Sequence, residues 1–352
     1  MRQTIKLFLF MFVALLLSSC STQHEIKIPQ KDKKIDLSND FHLKKISKEN
    51  ANNTILLLLP LSGANANLGQ GILNACILSA KEAQNTNIDF VVIDTADRSL
   101  DKNQLCWKYK DKNLRAIVGP IFFTEAKRYG ALFPTVPMFT FSNNVKVNSN
   151  HIFACGLSPQ DEINEIFSFA RKNKIEDFLV MLPKGKYGDE IEQYLKISMK
   201  KFGFVEEYEV EIIRYDSIGR KEATNYVKNS GKHAAFILEP ILDFEKLPEN
   251  IEVFTLSSHA LQNKDAWNGC IFAFSNIQEL VNFSAKYKNT FGYTPSVLDM
   301  IGYDITSALC NSASDPYEAF SLEHKELHGC LGDFSIIKNK GVKRELHLYK
   351  SE

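Results

Sequence analysis

The stretch TILLLLPLSGANANLGQGILNACILSAKEA, residues 54–83, runs from an unbroken apolar segment through a loop of Gly, Asn and Ser into a helical pattern. Strand, glycine loop and helix in this order is the layout in which many proteins cradle a phosphate. The residues that chemistry needs are missing here. A P-loop requires G-x-x-x-x-G-K-[ST], with the lysine on the β/γ-phosphates and the hydroxyl on magnesium. No Gly-Lys-Ser or Gly-Lys-Thr follows Gly63 or Gly69, and Gly63, Gly69 and Gly71 are spaced wrongly for G-x-G-x-x-G. The loop therefore reads as the lip of a cleft. Gly63 supplies backbone freedom for the turn, Gly69 and Gly71 permit close helix packing, and Ser62 or Asn65 stands where it could touch a ligand.

Downstream, the alternation repeats. Apolar segments at 88–94, 114–120 and 137–141 are interleaved with amphipathic segments near 100–112 and 124–133. A second series follows HIFACGLSPQ (151–160), with helices near 161–173, 188–202 and 217–230 and strands at 177–182, 205–213, 233–239 and 252–257. Continuous apolar strands separated by helices predict parallel sheets covered on both faces. Roughly 300 residues lie beyond the N-terminal segment, enough for two lobes at the usual ~100–200 residues each. The expected organisation is a first lobe at 53–150, a second at 151–270 and a return to the first at 271–325. A C-terminal hairpin with a hinge or second-lobe segment is expected at 326–352. Helical patterns at 276–290 and 297–312 flank GYTPS, where Gly292 and Pro295 punctuate. The closing CLGDFSI and VKRELHLYK, with a turn at 338–341, predict a hairpin in which Asn339 and Gly341 can take positive φ.

The first twenty residues, MRQTIKLFLFMFVALLLSSC, carry Arg2 and Lys6 ahead of an apolar run from Leu7 to Leu17. A helix needs about 20 apolar residues to span a bilayer, so this run fits the core of a secretory signal peptide over 1–19. Leu17-Ser18-Ser19-Cys20 resembles the lipobox of bacterial lipoproteins, which implies cleavage before Cys20 and its acylation. Two or more acyl chains anchor a protein stably. By the same resemblance, Ser21 rather than Asp favours outer- over inner-membrane sorting from the periplasm. Residues 20–52 are polar and charge-mixed without a sustained period. They read as a flexible tether reaching roughly 30 Å if they behave like a Gly/Ser chain. ATP and NAD are scarce outside the cytosol, which agrees with the missing phosphate motif.

The chain holds 42 basic and 42 acidic side chains; losing Arg2 and Lys6 with the leader leaves 40 against 42. That balance lacks the basic footprint of a nucleic-acid binder. Besides Cys20 there are Cys76, Cys106, Cys155, Cys270, Cys310 and Cys330. They can pair or remain buried thiols, and no C-x-x-C suggests redox or zinc chemistry. No G-x-S-x-G or H-E-x-x-H occurs. His324, His328 and Cys330 would present metal ligands on one face only if HKELHGC were helical, and the segment also reads as an ordinary polar one. Asp189 and Glu190 sit in a charged helical run and read as a solvated face. No catalysis, metal or cofactor is expected.

Six segments, in order, resemble the type I periplasmic solute-binding proteins of the leucine-binding kind. They are LLLLPLSGANANLGQGILNACILSA, AIVGPIFFTEA, VPMFTFSNN, FACGLSPQDE, LPKGKYGDEIEQYLK and YKNTFGYTPSVLDMIGYDITSAL. The resemblance implies an α/β fold of two Rossmann-like lobes with mostly parallel sheets, joined by a three-segment hinge. The pattern LLLPLSG-x5-LGQ, the lipobox and the closing LHGCLGDFSIIKNKGVKRELHLY resemble most the lipoproteins called penicillin-binding protein activators. That implies a non-catalytic regulator whose partner is a penicillin-binding protein, a peptidoglycan synthase. The alternative is a receptor for an amino acid or similar small molecule, partnered by an ABC permease.

In this architecture a ligand sits between the lobes at the carboxyl ends of the strands. Mapped motif to motif, the resemblance places a ligand carboxylate at Thr124, Ser142 and Asn144. Thr124 also reads as a helix N-cap, with Glu125 in the first turn, and Ser142 and Asn144 as turn formers. In the second lobe Tyr187 stands in the Tyr-Gly pair and Glu239 is the candidate ammonium partner. Two departures count against amino-acid binding. Phe122 and Phe123 stand where amino-acid receptors place small hydroxyl residues, and LEPILDF replaces a glycine-rich segment.

Overall fold

Strand β1, Thr54–Leu59, is buried along its whole length, as an apolar run should be when helices cover both faces of its sheet. The structure, a computed structural model, describes residues 53–83, 88–110, 114–205, 208–261, 264–312 and 325–351. The leader, Cys20, the tether and His324 lie outside the described residues.

β1 is the second strand of a five-stranded parallel sheet ordered β2-β1-β3-β4-β5. The others are β2 (Asp89–Asp94), β3 (Leu114–Val118), β4 (Met138–Thr140) and β5 (Ile152–Ala154). Three helices, α1 (Ala66–Ala83), α2 (Lys102–Lys110) and α3 (Phe123–Leu132), link the first four strands. α2 and α3 share one core, in which Leu105, Tyr109, Ala126 and Tyr129 pack with Leu56, Leu58 and Ile117.

The second sheet holds β6 (Phe178–Pro183), β7 (Val210–Tyr215), β8 (Ala234–Ile237), β9 (Glu252–Thr255), β10 (Ile271–Phe274) and β13 (His347–Lys350), in the order β13-β10-β9-β8-β6-β7. All are parallel except β13, which pairs antiparallel with β10. α4 (Pro159–Lys172) and α5 (Lys186–Phe202) cover one face; α6 (Arg220–Asn229) covers the other. α4 starts where the sequence supplies every first-turn signal. Ser158 accepts a hydrogen bond from the Asp161 N–H, Pro159 opens the helix, and Asp161 and Glu162 face the positive end of the dipole. A short helix, α7 (Ser257–Ala260), follows β9.

The chain then returns to the first lobe through α8 (Ile277–Phe291) and α9 (Val297–Asn311). Gly292 ends α8 in the left-handed region, and Ser296 with Asp299 forms a reciprocal capping box at the start of α9. α9 lies against α1. The Ser79 hydroxyl donates to the Tyr303 carbonyl at 3.0 Å and the Tyr287 hydroxyl to that of Gly71 at 2.9 Å. The close packing expected of Gly69 and Gly71 is present. A Cβ on Gly69 would fall 2.0 Å from the Pro60 carbonyl oxygen, and one on Gly71 would fall 2.6 Å from the Asp299 carboxylate.

The C-terminal hairpin joins β11 (Phe334–Ile337) to β12 (Gly341–Arg344), with Asn339 at φ 59° and Gly341 at φ 79°. It ends at Arg344: HLYK is not part of it but forms β13 in the second sheet. Three further expectations need correction. Strand IFA, 152–154, pairs with β4, so the first crossing falls after residue 154 rather than at 150. IFAF, 271–274, pairs with β9, so the return falls after 274 rather than at 270. Both strands are four or fewer residues long, too short for alternation to reveal. The strand expected at 205–213 starts only at Val210, because Glu209 caps a turn by accepting from the Val205 N–H and holds Arg171.

Candidate functional site

A cavity of about 990 Å³ lies between the lobes. Ile121, Phe122 and Phe123 wall it at the start of α3, and the Phe141–Asn144 loop walls it after β4. Glu190 on α5 and Ser258 on α7 reach it from the second lobe, and Leu280, Val281, Pro295 and Met300 complete an apolar side from α8, α9 and the turn between them. Open α/β sheets bind ligands at this place, beyond the carboxyl ends of the strands. Among the described lining residues Glu190 is the only charged one. A cavity of this size and character suits an apolar body held by few polar groups.

The sequence-predicted residues divide. Ser142 and Asn144 line the cavity, yet both also build the turn. The Ser142 hydroxyl accepts from the Asn144 N–H at 3.1 Å, and the Asn144 side-chain oxygen accepts from the Lys146 N–H at 3.0 Å. Thr124 is exposed and outside the cavity wall. It is not the N-cap: that position is Phe122, which makes no side-chain cap bond. Thr124 lies within the helical turn, past the point from which a hydroxyl reaches the first N–H groups.

Tyr187 and Glu239 are engaged elsewhere in the second lobe. The Tyr187 hydroxyl shares a 2.8 Å hydrogen bond with His259 Nε2, and the His259 ring lies between those of Tyr187 and Trp267, with centroids 5.9 and 6.1 Å away. Burial holds His259 below its ordinary pKa, despite the Glu239 charge. Glu239 accepts a 2.8 Å hydrogen bond from the Tyr215 hydroxyl. Neither Tyr187 nor Glu239 is on the cavity wall. The acidic group that does reach it, Glu190, accepts from the Tyr194 hydroxyl at 2.8 Å. Glu190 reads in the sequence as one more solvated charge, because nothing local distinguishes a helix face turned to a cleft from one turned to water.

The lip loop is tied down. Burial works to raise the Asp94 pKa, but hydrogen bonds from Ser62 and the N–H groups of Leu61 and Ala96 outweigh it and hold the carboxyl below its ordinary range. Ser62 thus serves the lip itself.

Behind the cavity the lobes are joined where the sequence showed no motif. Asp304 on α9 and Arg344 on β12 form a 3.0 Å ion pair with both side chains buried. Asp304 also accepts from the Cys330 N–H at 2.6 Å. Lys343 reaches Asp161 at the start of α4, 2.6 Å away. Glu162 is 4% exposed and accepts from the Ser257 N–H at 2.7 Å. Burial pushes its carboxyl up to about 7, against the hydrogen bonds from Ser257.

The HKELHGC segment carries no helix over its described part, 325–330. His328 is exposed and pairs with Asp333 at 2.6 Å, while Cys330 is buried with its thiol against the Met300 carbonyl. The six cysteines from Cys76 to Cys330 form no disulfide with one another.

Two lobes of mostly parallel sheet, a chain that passes between them more than once and a cleft at the strand ends make this a type I periplasmic-binding fold. Residues 38–207 match the LppC lipoprotein family. Among solved structures, the C-domain of LpoA from Haemophilus influenzae, described as a regulator of PBP1A, superposes with a TM-score of 0.65 at 20% identity, covering 85% of this chain and 98% of that one. Full-length LpoA from the same organism gives 0.66 at 19%, with only 57% of its length covered. A branched-chain amino acid ABC transporter periplasmic ligand-binding protein from Burkholderia xenovorans gives 0.66 at 12% identity, covering 85% and 90%. An uncharacterized protein of Rickettsia prowazekii is 24% identical over 199 residues, 55% of this chain; the match spans about half of that relative's length, 48%.

Proposed function

We propose that this chain is a non-catalytic lipoprotein of the cell envelope, acylated at Cys20 and sorted to the outer membrane, that regulates a peptidoglycan synthase by direct contact. One observation carries this reading. Three of the five groups that would hold a free amino acid lie off the cleft wall: Glu239 is held by Tyr215, Tyr187 by His259, and Thr124 faces solvent, while Phe122 and Phe123 line the wall. The match to a lipoprotein family and the fold shared with LpoA support it. The test is a pull-down in which the full-length lipoprotein, extracted from membranes, is presented with bifunctional penicillin-binding proteins. Retention of one of them is expected, and its failure to bind would count against the regulator.

A second reading, a solute receptor working with an ABC permease, is favoured by the size of the cavity and by the Ser142–Asn144 turn on its wall. It predicts lobe closure, which requires a ligand that binds the closed state better than the open one. A thermal-shift screen against amino acids, short peptides and peptidoglycan fragments separates the two. A ligand at about 100 times its Kd adds roughly 2.7 kcal/mol, several degrees in Tm. The regulator predicts silence from the amino acids.

A further inference from the structure

Among the described large apolar side chains, Trp107 is second only to Tyr208 in exposure. It is 70% exposed, whereas the other tryptophan, Trp267, is 2% exposed. It sits in the last turn of α2, whose sequence KNQLCWKYK has no acidic residue. Lys108 is exposed beside it, and Lys127 and Arg128 are exposed on the neighbouring α3. The helices are adjacent there, with the Cys106 thiol 3.0 Å from the Leu132 carbonyl and Lys102 over the Tyr129 ring at 5.4 Å. Among the described residues, the acidic groups flanking these positions are Asp101, spent on capping α2 through the N–H groups of Asn103 and Gln104, and Glu125, half-buried. The result is a basic face with an indole at its edge, on a body whose charge is otherwise balanced.

Its position matters as much as its composition. The last turn of α2 leads to β3, whose first residue, Leu114, is paired with Thr54, the first residue of β1. The end of the lobe that presents Trp107 is therefore the end at which the chain from Cys20 enters the fold. The cleft, past the far ends of the same strands, faces away from it.

We propose that the outer face of α2 and α3, centred on Trp107, Lys108, Lys127 and Arg128, rests on the anionic phospholipid surface to which the tether is anchored. This rests on the acylation of Cys20 proposed above. Indole rings favour the headgroup level of a bilayer, and each Lys or Arg near an anionic surface adds to the attraction. The acyl chains hold the protein; this face sets its orientation, so that the cleft and the second lobe point into the periplasm.

The full-length lipoprotein carrying Trp267→Phe has Trp107 as its sole tryptophan and can be reconstituted into phosphatidylethanolamine/phosphatidylglycerol vesicles. Flotation reports the anchor; Trp107 emission reports the face. A blue-shifted emission, quenched by brominated acyl chains and shielded from acrylamide, is expected. Lys108→Gln and Lys127→Gln should each lower the docking equilibrium by about fivefold, and high salt should release the face while the protein still floats. A protein that floats with Trp107 as open to acrylamide as in solution overturns the docked face and leaves the anchor standing. Failure to float, with wild-type Cys20 present, overturns the anchoring on which it rests. Shielding of Trp107 only after a penicillin-binding protein is added would assign the face to a protein partner and overturn the membrane contact.

Discussion

The cleft and the crossings behind it are two parts of one inter-lobe boundary, and they are built from opposite materials. The cleft is roomy and apolar, with Glu190 as the one charged residue among its described lining residues. The crossings enclose the buried Asp304–Arg344 pair, beside the part-exposed Lys343–Asp161 bridge. A protein that captured a zwitterion would place its charges in the cleft, because a buried charge is retained only with a partner. Here the buried charges are partnered by the protein itself. The charge is used to set how the lobes meet, which suits a body recognised for its shape.

The largest expected effect comes from breaking the crossing pair. Arg344→Ala leaves Asp304 buried without its cation, and loss of one partner of a buried pair costs about 3–5 kcal/mol. Urea denaturation should show it as a lower midpoint at unchanged slope. A loss under about 1 kcal/mol, the ceiling for most exposed pairs, would mean that the pair does not brace the lobes.

Glu162 gives the next effect, through pH. Its folded pKa is raised to about 7, above the ordinary ~4.3 of an unfolded glutamate. The folded state therefore holds the proton more tightly. The stability this confers is complete below about pH 4.3 and is lost as the pH rises to about 7, by up to roughly 4 kcal/mol. Glu162→Gln keeps an acceptor for the Ser257 N–H and should flatten that part of the pH–stability curve. An unchanged pH profile would show that Glu162 is ionised freely in the folded protein.

Removing the Ser296 cap of α9, in Ser296→Ala, should cost about 1 kcal/mol, read by thermal unfolding. At the smallest end stands the cleft rim. Phe122 is 42% exposed, and Phe122→Ala should change stability by no more than about 0.5 kcal/mol, as exposed substitutions do. If it instead cost as much as Arg344→Ala, the distinction between an open cleft and braced crossings would fall.

How far the sequence could be read follows from range. The uniform apolar runs at 54–59 and 178–182 signalled parallel, doubly covered strands, and Gly292, Asn339 and Gly341 announced their turns because those signals are local. β5 and β10 were missed because three or four residues carry no period. Thr124 failed as a cap because the N-cap position falls two residues earlier, at Phe122, which caps nothing. Glu239 was legible as a charge at a strand end, but Tyr215, which takes it up, is distant in sequence.

By itself the sequence determined the alternation of strand and helix, the two-lobed parallel architecture, the turns, and the absence of a phosphate loop at Gly63–Gly71. Each of these follows from periodicity or from a backbone preference expressed within a few residues. Only the tertiary structure decided which charges face the cleft and which lock the crossings, where the strands at the lobe boundaries belong, and that Trp107 lies at the end where the chain enters. Asp304 meets Arg344, and Glu162 meets Ser257, across long stretches of chain. Such pairings depend on how elements distant in the chain pack against one another, and no local preference encodes that.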